Sequence, residues 1–108
     1  MTYEEFEKCF ESRIDLCRRV LVGKNTEYAR GGDKLSNFKK AAGRLGTTPE
    51  TALLGMETKH SISIVDMIQD LERGIHHSME KWEEKIGDEL NYLFLLRGML
   101  EERYGQRS

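Results

Sequence analysis

The sequence predicts an all-α fold: a single four-helix bundle-like domain, completed by homo-oligomerisation. Three observations carry that expectation. Apolar residues recur at steps of three and four in four separate stretches. The stretches are divided by glycine- or proline-bearing breaks. No segment shows sustained alternation or a hairpin dipeptide, so nothing signals a strand. The chain has 108 residues, which suits one domain. With 38% apolar and 33% charged residues it is short of core material for a monomer, hence the expected self-association.

Each helix has a start and a stop. Thr2-x-x-Glu5 reads as a capping box, in which hydroxyl and carboxylate each satisfy a free backbone N–H of the first turn. Phe6, Cys9, Phe10, Cys17, Val20 and Leu21 follow at helical spacing up to Gly23, so the first helix is expected over 2–22. A connector containing Gly31-Gly32 leads to a second helix over 34–45, with Asp33 as a plausible cap. Its inner face carries Leu35, Phe38, Ala41, Ala42 and Leu45. Thr48-Pro49 opens the third helix, over 49–73, because proline at the first helical position gives up no hydrogen bond. The fourth spans 79–104 after a loop that carries His76-His77.

Net charge is −2, with both signs mixed and no basic stripe with aromatics, which argues against duplex nucleic acid as a partner. No apolar run approaches about 18 residues and no secretory leader is evident, so a cytoplasmic protein is expected. Cys9 and Cys17 fall on one helix about 12 Å apart, too far for a bridge, and read as reduced, packed thiols. Neither has a histidine near it in sequence, so no nucleophile pair is indicated. His76-His77 lacks a cysteine partner for zinc.

Polar residues on the third and fourth helices also fall in stripes. At about 100° per residue, Trp82, Ile86, Leu90, Leu93 and Leu100 cluster on one side of the fourth helix as an inner face. Glu84, Asp88 and Asn91 share the opposite side, the oxygen-ligand set of a candidate divalent-metal or phosphate–metal site. On the third helix Leu53, Met56, Ile64, Met67, Ile68 and Leu71 form one stripe, with Glu57 and His60 inside it as either a metal pair or a self-satisfying buried pair. Lys59, Ser63, Asp66 and Asp70 form the polar counter-stripe, where ammonium, hydroxyl and carboxylate suit a phosphate, a ribose and a metal. In the connector, Tyr28 is placed to stack on a base, Arg30 to meet phosphate and Asn37 to hydrogen-bond either.

The stretches Tyr28-Ala29 to Asn37-Phe38-Lys39, Lys59 to Met67 and Glu84 to Leu93 resemble small phage and prophage proteins of the MazG-like and nucleotide-modification-associated all-α kind. That resemblance implies a helical, cytoplasmic nucleotide-binding protein, acting as a Mg²⁺-dependent nucleoside triphosphate pyrophosphohydrolase. It would use Glu84 and Asp88 as metal ligands, Asp66 or Glu57 as base, and Lys59 to neutralise charge. Tyr28, Arg30, Asn37, His60, Ser63, Asn91 and Tyr92 complete the expected ligand contacts. The chain departs from the MazG-like pattern of Glu-x-x-Glu followed by Glu-x-x-Asp, having Glu57-x-x-His60 and a four-residue step from Glu84 to Asp88. The departure motivates the alternative: a non-catalytic phage protein that sequesters a signalling nucleotide or inhibits a host defence protein.

Overall fold

The computed structural model describes residues 1–22 and 32–105. Among these the fold is all-helical with no strand: α1 (Tyr3–Leu21), α2 (Ser36–Leu45), α3 (Pro49–Glu72) and α4 (Met79–Gly105). Tyr28 and Arg30 lie outside the described residues.

Local chemistry sets the helix ends. The capping box forms, with the Glu5 N–H donating to Thr2 Oγ1 at 3.1 Å and the Thr2 N–H donating to Glu5 Oε2 at 2.9 Å. Asp33 acts just ahead of α2. Its carboxylate accepts from the Leu35 N–H at 2.9 Å and its carbonyl from the Ser36 N–H, while Leu35 itself occupies the cap position. Gly46 closes α2 at φ 68°, a left-handed conformation in which glycine carries no Cβ penalty. Thr48 caps α3 through the Thr51 N–H, and Ser78 does the same for α4 through the Lys81 N–H.

α3 and α4 form an antiparallel pair: Glu50 meets Arg103 at one end, and Ser61 meets Glu89 further along. α2 lies against this hairpin and α1 against α4. Leu35, Phe38, Leu53 and Met99 make the buried core, with Tyr92, Leu95 and Leu96 packed on it. Charged clasps surround it. Lys39 bridges Asp33 (2.8 Å) and Glu102 (2.6 Å), and Arg103 holds Glu50 in a two-toothed pair. On the other side of α4, Arg13 reaches from α1 to the Glu83 carboxylate (2.8 Å) and carbonyl (3.0 Å). The guanidinium lies against Gly87, where a Cβ would come within 2.8 Å of Nη2.

The inner stripe expected on α4 is not the one that packs within the chain. Tyr92, Leu95, Leu96 and Met99 face the core, whereas Ile86 and Leu93 are exposed and Trp82 is half-buried. On α3, Leu53 and Met67 are buried as expected, but Met56, Ile68 and Leu71 are exposed. Periodicity reports that a face is apolar; it does not say which of two apolar faces meets a neighbour in the same chain. The first half of α1 is exposed on all sides, Phe6, Cys9 and Phe10 included. No helix among the described residues is long and apolar enough to cross a membrane.

Candidate functional site

α3 and α4 bring together six polar or aromatic side chains along their contact. On the rim facing α2, His60 Nδ1 lies 3.6 Å from Asp88 Oδ2. That is beyond hydrogen-bond reach but close enough for charge pairing with a protonated imidazole. The His60 ring sits 5.3 Å, centroid to centroid, from Tyr92, tilted by 32°. Phe38 of α2 also meets Tyr92, edge to face at 6.3 Å. Burial, then the nearby Asp88 carboxylate, pushes the Tyr92 hydroxyl above the ordinary phenol range, so at neutral pH it is an O–H donor. The spacing explains the grouping, since Asp88 and Tyr92 are one turn apart on α4 and present adjacent groups to one residue of α3.

On the opposite rim, Ser61 Oγ contacts Glu57 Oε1 and lies 2.5 Å from Glu89 Oε1. A hydroxyl has one proton to give, so it satisfies one of these two carboxylate oxygens as donor. Ser61 and Glu89 are the residues that the stripes did not single out. The available signal was spacing: Ser61 stands one turn after Glu57, and Glu89 beside Asp88.

The other expected site residues fall elsewhere. Glu84, Asp88 and Asn91 share a helical phase but not an environment. Glu84 is exposed and Asp88 faces His60. The Asn91 amide oxygen is buried with no hydrogen-bond partner, one turn from the Gly87 that Arg13 covers. Lys59 and Asp66 are exposed, and the Ser63 hydroxyl donates to the Lys59 carbonyl at 2.9 Å within the same helix. Asn37 is exposed at the start of α2. His77, in the loop before α4, accepts a defined place: its Nε2 is 2.8 Å from Asp70 Oδ2 and its ring meets Trp82 edge-on at 6.4 Å.

Among the described residues, no three His, Cys, Asp or Glu side chains group as a cation site. Glu84 and Asp88, one turn apart, supply two carboxylates, one exposed and one facing His60. A cavity of about 140 Å³ lies away from His60, walled by Leu35, Pro49, Met99 and the paired charges Lys39, Glu50, Glu102 and Arg103. Its charges already neutralise one another, which makes it a clasped bundle end rather than an anion site. No family of known proteins, no curated protein and no solved structure matches the chain.

Proposed function

We propose that the chain is a nucleotide-binding helical protein of the MazG-like kind, with its ligand held along the α3–α4 contact on the rim facing α2. The supporting observation is the convergence of His60, Asp88 and Tyr92 from two helices beside Phe38. An aromatic surface offers a face for a nucleobase, the carboxylate accepts from an exocyclic amine or a ribose hydroxyl, and the imidazole and phenol donate. Lys59 and the half-buried Lys85 supply positive charge for phosphate nearby in sequence. Mg²⁺ enters this reading only with the nucleotide, whose phosphates would provide most of its ligands. Self-association, expected from the small core, belongs to the same reading.

The test is a thermal-shift series with the common ribo- and deoxyribonucleoside triphosphates, with and without Mg²⁺, followed by a pyrophosphate-release assay. A nucleotide present at about a hundredfold over its Kd adds roughly 2.7 kcal/mol, a shift of several degrees. Asp88→Asn and Tyr92→Ala should abolish it. Pyrophosphate release would add hydrolysis to the reading, and binding without release would favour the sequestering alternative. Absence of a shift with every nucleotide would remove the proposal.

A further inference from the structure

Of the half-buried carboxylates among the described residues, Asp88 is the one that accepts no hydrogen bond from the chain. Asp33, Glu50, Glu57, Asp70, Glu83 and Glu89 each contact a donor, whether a lysine, an arginine, Ser61 or His77. Asp88 has only the His60 imidazole at 3.6 Å, and its side chain is 39% exposed. The Tyr92 hydroxyl, one turn further along α4, also has no hydrogen-bond partner among the described residues, and it is not sealed from solvent. It lies near enough for the Asp88 charge to help raise its pKa, and it keeps its proton at neutral pH. An unspent pair of acceptor oxygens and an unspent donor therefore stand side by side. They adjoin the ledge made by the His60 and Tyr92 rings, 5.3 Å apart between centroids.

We infer that this rim selects a guanine nucleotide, with Asp88 accepting from N1–H and the 2-amino group of the base and Tyr92 donating to O6. The inference rests on the nucleotide reading above and narrows it to one base. The order of groups along each base edge decides the choice. Guanine presents donor, donor, acceptor, the complement of a carboxylate followed by a hydroxyl proton. Both carboxylate oxygens are then used in a charge-assisted, two-toothed pair. Hypoxanthine lacks the 2-amino donor. Adenine and cytosine set their amine beside a ring nitrogen whose lone pair would oppose the second oxygen of Asp88. Uracil and thymine place N3–H between two carbonyls, with the same repulsion. A ribose hydroxyl is the other donor that Asp88 could take, but that contact would leave all bases equivalent.

Isothermal titration calorimetry on the full chain, at constant Mg²⁺, reads this with GTP, inosine triphosphate, ATP, CTP and UTP. GTP should bind about tenfold or more tightly than inosine triphosphate, which lacks only the 2-amino donor, and more tightly still than the other three. Tyr92→Phe should weaken GTP and inosine triphosphate alike, since both carry O6. Asp88→Asn should lose GTP and gain xanthosine triphosphate, whose C2 carbonyl accepts from the amide that replaces the carboxylate. That gain needs a folded chain, so unfolding cannot imitate it. Equal affinity for every base, or a preference for ATP, CTP or UTP, would overturn the inference and leave the nucleotide reading standing. A preference for GTP that survives Asp88→Asn would overturn the part given to Asp88. Binding of none of these nucleotides to the wild type would overturn the nucleotide reading itself, and the inference with it.

Discussion

Two residues on α4 show how a single side chain, or its absence, decides a contact. Gly87 sits inside a long helix, where alanine would ordinarily add about 1 kcal/mol of stability. The Arg13 guanidinium occupies the space that a Cβ would need. Gly87→Ala should therefore push Arg13 from Glu83 and gain nothing in the wild type, yet stabilise an Arg13→Ala background by about 1 kcal/mol. Urea denaturation of the four proteins measures this, and equal effects in both backgrounds would refute the close approach. Tyr92 is the second case. Burial is the larger cause of its raised pKa and Asp88 the smaller. Absorbance titration of the wild type against Tyr92→Phe should place its ionisation above 10, the ordinary value. Asp88→Asn should lower it only in part. Full restoration to 10 would reverse the order of causes.

Between elements, the fastenings are ionic as well as apolar. Lys39 of α2 draws Asp33 and Glu102 together, and Arg103 of α4 holds Glu50 at the start of α3. The hydrogen bond from Lys39, then the Leu35 N–H, holds the Asp33 carboxyl below the usual range; the Arg103 hydrogen bond does the same for Glu50. Asp33 and Glu102 in turn raise the Lys39 ammonium. A carboxylate with a lowered folded pKa stabilises the fold above its unfolded pKa, and that contribution fades as pH falls through the folded value. The raised ammonium contributes below its unfolded pKa and loses that contribution as pH climbs through its higher folded value. The melting temperature should hold through neutrality, drop below about pH 4 and drop again above about pH 10.5. Glu50→Gln should flatten part of the acid limb in a calorimetric series. An acid limb unchanged by that substitution would show that the clasp contributes nothing.

For the molecule as a whole, the helices are loosely gathered. The radius of gyration is 16.4 Å, against about 13 Å for a compact chain of this length. No large side chain among the described residues is wholly enclosed. A chain whose core is Leu35, Phe38, Leu53, Met99 and their half-buried neighbours has little hydrophobic stabilisation to set against the entropy of ordering four helices.

Much of the fold is legible from residue order alone. The capping box at Thr2, the Thr48-Pro49 start and the glycine stops at Gly46 and Gly74 are local signals, and they place helix ends within a residue or two. The polar composition of the α3–α4 contact is legible in the same way, because Glu57 with His60 and Asp88 with Tyr92 are pairs one turn apart. What residue order leaves open is which face meets which. Glu84, Asp88 and Asn91 look like one set by phase, but Asp88 faces His60 of α3, the Asn91 amide oxygen is buried one turn from the Arg13–Gly87 contact, and Glu84 meets solvent. Ile86 and Leu93 look like core, and the chain folds with them outward. Helical phase depends only on the spacing of residues along one segment, so the sequence by itself determines it. The choice among several apolar faces depends on where the other helices dock, and only the tertiary structure decides that.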